Sequence, residues 1–171
     1  MASRYWVGGT AAWDGTAGTK WALTSGGAGG QAVPTSADDV FFDAASGAGT
    51  VTVGANANCN SLNFTGFTGT LTGSSNITSI GSVTLVAGMT FSFTGNLTMS
   101  GSGTLTSAGK TLGAVTIIGT GITVGLGDAL ISSSAITVTA GTFTTNNYNV
   151  TATSLSSSSR DRKSTRLNSS H

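Results

Sequence analysis

The chain has 171 residues, of which 30 are Thr, 24 Ser and 26 Gly; it has no Glu, one Cys and one His. That composition favours strands and turns over helices, and a single Cys59 excludes an internal disulfide and a paired-cysteine metal site. The formal charge is +1, yet between Ala44 and Ser159 only Lys110 and Asp128 are charged, a surface too neutral to hold a nucleic acid backbone.

Residues 1–45 differ in texture from the rest and are expected to form an N-terminal cap. They hold Trp6, Trp13 and Trp21, the one proline Pro34, and Asp14, Asp38, Asp39 and Asp43. Asp14-Gly15 and Gly26–Gly30 signal turns, and Val40-Phe41-Phe42 reads as a buried strand. A solenoid needs its end covered, because an open rung presents unpaired backbone groups; bulky aromatics on a loop-rich segment suit that cover.

Residues 46–155 read as the repeats of a parallel β-solenoid. Short pieces such as Ser61–Phe64, Ser82–Leu85, Val115–Ile118 and Ala135–Val138 alternate apolar with small polar residues, the period of a strand with one buried face. The interval from Leu62 to Val83 equals that from Val115 to Ile136, and Leu155 follows at a slightly shorter one. Gly69–Thr72 recurs as Gly103–Thr106, while the segment from Met89 to Lys110 fits less cleanly. These intervals suit a β-helical coil of about 20 residues, which predicts five or six coils. The fold class expected is therefore all-β: a single-stranded parallel β-helix under an aromatic, loop-rich cap. Uncharged Thr and Asn are expected to stack in ladders along the outside, where repeated like charges would repel.

Arg4–Thr10, Trp13–Thr16, Trp21, Thr24–Gly30 and Val33–Asp43, with a later rung at Asp128–Leu130 and Ala140–Val150, resemble phage and bacterial β-solenoid structural proteins, tail-fibre-like or surface-adhesin-like. They are similar, more loosely, to the opening of autotransporter-type repeat proteins. The resemblance covers most of residues 4–155. It implies a neighbouring virion or surface protein and a host-surface glycan as partners; a homo-trimer is common in such fibres, though no residue here demands one.

Residues 156–171 read as a disordered tail. Within it, Asp161–His171 resembles one reading frame of a common sequencing adapter, which would leave the natural chain continuing beyond Ser159 and remove His171 from consideration.

Without that tail there is no His and no Glu, so neither a Ser-His-Asp nor a Cys-His arrangement can be assembled. Paired carboxylates for glycoside hydrolysis are missing from the repeats, which hold only Asp128. No catalytic residue and no cofactor is expected. Asp38, Asp39 and Asp43 are the candidates for a Ca²⁺ site, against a role capping turns. Trp6, Trp13 and Trp21 are the candidates for stacking on sugar rings, against a role as the centre of the cap. The Asn-x-Ser/Thr triplets at Asn63, Asn76, Asn96 and Asn149 are common in so Asn- and Thr-rich a chain. No run approaches the length of a membrane helix, so membrane insertion is not expected. Met1–Gly9 lacks the apolar stretch of a signal peptide, which favours a virion part assembled in the host cytoplasm over a protein of the bacterial cell surface. The function expected is a non-enzymatic structural or binding module of a phage appendage, part of a longer protein. A surface adhesin or autotransporter-like passenger is the alternative, and a polysaccharide-active β-helix enzyme lacking its catalytic coils a second.

Overall fold

The computed structural model describes residues 1–158. The adapter-like stretch and most of the expected tail lie outside the described residues.

Three strands build each of six coils. The first coil is β4 (Asp38–Phe41), β5 (Thr50–Val53) and β6 (Ala57–Cys59). The second is β7 (Ser61–Asn63), β8 (Thr70–Gly73) and β9 (Ile77–Ser79). The third is β10 (Val83–Thr84), β11 (Thr90–Phe93) and β12 (Leu97–Met99), and the fourth β13 (Gly103–Thr106), β14 (Thr111–Leu112) and β15 (Val115–Ile117). The fifth is β16 (Thr123–Leu126), β17 (Leu130–Ser132) and β18 (Ala135–Val138). The sixth is β19 (Thr142–Thr144), β20 (Val150–Thr151) and β21 (Ser154–Ser157), so the last strand runs past the expected boundary at 155. Corresponding strands stack in parallel into three faces, A, B and C, in the order met along the chain. At about 4.8 Å per coil the stack is roughly 25–30 Å long.

The cap adds three strands: β1 (Ala2–Trp6), β2 (Ala11–Trp13) and β3 (Trp21–Ala22). β1 lies parallel on β4 at the end of face A, β2 lies parallel on β5 at the end of face B, and β3 pairs antiparallel outside β1. Asp43 then opens a 3-10 turn over Ala44–Ser46, accepting the Ala45 and Ser46 amides. The buried Ser46 hydroxyl donates to Trp6 O at 2.7 Å, tying the turn to the cap.

Alternation decides what is inside. Val40, Leu62, Val83, Leu105 and Leu126 form the inward column of face A, and Ile77, Leu97, Val115 and Ile136 one of face C. Each such side chain contributes roughly 1.5–3 kcal/mol on burial. At the cap end the column becomes aromatic: Phe42 stacks on Phe64 at 4.7 Å and 10° between planes, with Phe67 beside both.

The expected offsets are found, but on two different faces. Leu62 pairs with Val83, and Val115 with Ile136 and then Leu155, at the expected offsets, but the first pair belongs to face A and the other three residues to face C. Of the recurring quartets, Gly69–Thr72 leads into and occupies β8 on face B, whereas Gly103–Thr106 is β13 on face A, so the two do not stack on each other. All three strands of a coil alternate alike, so similarity alone does not tell faces apart. The poor fit of residues 89–110 also has a cause. The step from Leu97 to its partner Val115 is shorter along the chain than the step from Val83 to its partner Leu105. Here face B splits: β11 and β14 are not hydrogen-bonded, leaving a sheet of β2, β5, β8 and β11 and another of β14, β17 and β20. Gly95 and Gly113 let the backbones close up beside the split; a Cβ on Gly113 would lie 2.9 Å from Gly95 O.

Candidate functional surface

The three candidate metal-binding aspartates are close in sequence but turn to different tasks. Asp38 Oδ2 accepts the Thr35 amide at 2.9 Å and its hydroxyl at 2.8 Å, with the Arg4 guanidinium 3.8 Å from Oδ1. Burial alone would push its carboxyl up; the Thr35 hydrogen bonds and Arg4 outweigh that and bring it below its ordinary value. Asp39 points outward from β4, where Oδ1 accepts from Asn60 Nδ2 at 2.7 Å and Ser61 Oγ at 2.6 Å. Asp43 caps the 3-10 turn. Among the described residues no three His, Cys, Asp or Glu side chains come together as a metal site.

Trp6, Trp13 and Trp21 are at most 1% exposed. Trp21 meets Trp6 edge-on at 5.1 Å and Trp13 at 5.3 Å, leaving none of the three with an open ring face on which a sugar could stack. Trp6 Nε1 donates to Gly9 O at 3.1 Å. The buried Nε1 groups of Trp13 and Trp21 have no hydrogen-bond acceptor among the described residues; the edge-on packing of the rings is the geometry in which an indole N–H meets a π face.

Cys59 is buried in the inward column of face C, and burial pushes its thiol up to about 12. Asp14 sits in a compact polar group at the surface with Thr16 and Lys20. Hydrogen bonds from Lys20 Nζ, at 2.7 Å, and from Thr16 hold it well below the usual carboxylate range. Asp128 accepts the amides of Ser107, at 2.7 Å, and Ala108, stapling one coil to the next. The cavity at the split of face B, lined by Leu71, Phe91, Phe93, Leu97, Leu112 and Gly113, is apolar. Its void of about 10 Å³ holds one water molecule at most. Each of these carboxylates hydrogen-bonds to neighbouring turns, strands or coils, and the three tryptophans and Cys59 pack in the interior.

What remains is the outside of the faces. On face C, Asn58, Thr78, Thr98, Thr116, Thr137 and Ser156 stand in register over all six coils. An asparagine column flanks them: Asn56 Oδ1 accepts the Asn76 amide at 3.1 Å, and Asn76 Oδ1 the Asn96 amide at 3.3 Å. Asn96 Nδ2 donates to both Thr98 and Thr116 at 3.1 Å. On face B, Thr50-Val51-Thr52, Thr70-Leu71-Thr72 and Thr90-Phe91-Ser92 align as a grid of two outward columns over three strands. On face A the ladder of Asp39, Ser61, Ser82 and Thr104 is broken by Gly125.

No protein family, curated protein or solved structure significantly matches this chain.

No helix among the described residues is long and apolar enough to cross a membrane. The sequence anticipated hydroxyl and amide ladders but not which face carries each. It also missed the buried serines. Ser79 and Ser132 occupy inward positions, where their hydroxyls donate to backbone oxygens, Ser79 to Asn60 O at 3.2 Å and Ser132 to Gly113 O at 2.6 Å. A serine in so Ser-rich a chain reads as turn or surface, and nothing local marks these two as inward.

Proposed function

We propose that this chain is a non-enzymatic structural module of a virion appendage, a rigid neutral segment of a tail-fibre-like β-solenoid. The observation that carries this reading is the continuous stack: faces A and C keep their register through every coil, and from Ala44 to Ser158 the chain carries only Lys110 and Asp128 as charges. Rungs of that kind resist bending, because moving one coil disturbs the ladders above and below it. Ladders of uncharged side chains let such rungs stack without repulsion. The carboxylates accept hydrogen bonds that hold the cap, its turns and neighbouring coils together, which supports a scaffold over a hydrolase. The neighbours it would contact are other proteins of the same appendage, with a host-surface glycan reached by the fibre as a whole.

Immunogold labelling with antibodies against the chain tests this. Decoration along the appendages of purified particles is the expected result. Labelling confined to bacterial envelopes would instead support a surface adhesin, and glycan depolymerisation by the purified protein would overturn the non-enzymatic reading.

A further inference from the structure

From the threonine grid of face B we infer that this face binds ice. The six side chains at its rows are Thr50 and Thr52, Thr70 and Thr72, Thr90 and Ser92, held in register by β5, β8 and β11. None of their hydroxyls bonds to any other group of the described residues, and Thr52, Thr90 and Ser92 are exposed. On face C three of the four threonine hydroxyls of the outward column are engaged: those of Thr98 and Thr116 by Asn96, and that of Thr137 by Ser156. The free groups of face B therefore bond outward, to water.

Two features decide which partner fits. Backbone pairing fixes the rows about 4.8 Å apart along the stack, and the two-residue repeat sets the columns roughly 6.6 Å apart across it. A surface with fixed spacing in two directions is complementary to a solid that repeats in two directions, whereas a flexible chain gains nothing from it. There is no charged residue in any of the three rows and no aromatic ring on their outer side, so the face offers neither ion pairing nor ring stacking to a polysaccharide. Each threonine instead places a methyl beside a hydroxyl. Water around a methyl is orientationally restricted, and the adjacent hydroxyl, one donor and two acceptors, anchors that ordered water. A charged side chain would organise its own hydration shell and break the pattern. The grid is small, so the activity expected is restraint of ice-grain growth more than a large depression of freezing. This inference goes beyond the structural role proposed above and does not rest on it.

The test is an ice-recrystallisation assay in concentrated sucrose, with the intact chain at micromolar concentration against equal albumin. Thr72→Lys alters the centre of face B, and Thr137→Lys is the control on face C; circular dichroism and melting verify the fold of both. The chain and Thr137→Lys should keep mean grain size several-fold below albumin, and Thr72→Lys should lose most of that effect. Grain growth equal to albumin with the intact chain would overturn the inference. So would a folded Thr72→Lys that matches the unaltered protein, loss of the effect in Thr137→Lys, or retention on crystalline cellulose without any effect on ice.

Discussion

The polar residues of the cap show how single side chains are tuned by what surrounds them. Asp38 is buried, with its carboxyl below its ordinary value. Its folded pKa is thus lower than its unfolded one, near 3.9, so its contribution is complete above about pH 4 and disappears as pH falls through the folded value. Asp38→Asn removes charge-assisted hydrogen bonds to Thr35 and should cost about 1–3 kcal/mol at neutral pH. Its melting temperature should also vary less between pH 4 and pH 2 than that of the unaltered chain, as read by calorimetry. Cys59 makes the opposite case. With the thiol pushed up to about 12 by burial, a disulfide exchange reagent at pH 8 should leave it unmodified in the folded protein and label it once denaturant is added.

At the level of strands, the difference between inward and outward positions is the quantity to measure. Leu105→Ala empties a buried position in the middle of face A and should cost about 2–5 kcal/mol, whereas its outward neighbour Thr104→Ala should stay within about 0.5 kcal/mol. Urea unfolding separates the two. Gly113→Ala should destabilise by more than helix or strand propensity explains, because its Cβ would press on Gly95 O and Thr94 O, each 2.9 Å away. How much of this was legible beforehand depended on the residue. The spacing of Leu62 to Val83 and of Val115 to Ile136 was plain in the sequence; their assignment to separate faces was not, because Ser-Leu-Asn and Val-Thr-Ile carry the same in–out pattern whichever face they lie on. Threonine ladders were expected from composition. Their positions depended on turn lengths, and these shorten between Leu97 and Val115 without any Gly-Pro or Asn-Gly signal to announce it.

Across the whole molecule the core changes character from one end to the other. Trp6, Trp13, Trp21, Phe42, Phe64 and Phe67 fill the cap and first two coils, whereas the sixth coil packs Phe143, Val150 and Leu155, all only partly buried. Repeat stability is close to a sum of rung and interface terms, so the ends should open independently. Hydrogen exchange should find the amides of β4, β7 and β8 among the slowest and those of β19, β20 and β21 among the fastest. The split in face B has a mechanical side. A pull along the axis is borne by three lines of hydrogen bonds between all other pairs of successive coils, but by two between the third and fourth, where β11 and β14 do not join and the remaining pairings, β10 on β13 and β12 on β15, are short. A stretched fibre containing this segment would yield there first, parting the aromatic cap end from the last three coils, and the tensile strength of the rod is that of its weakest level.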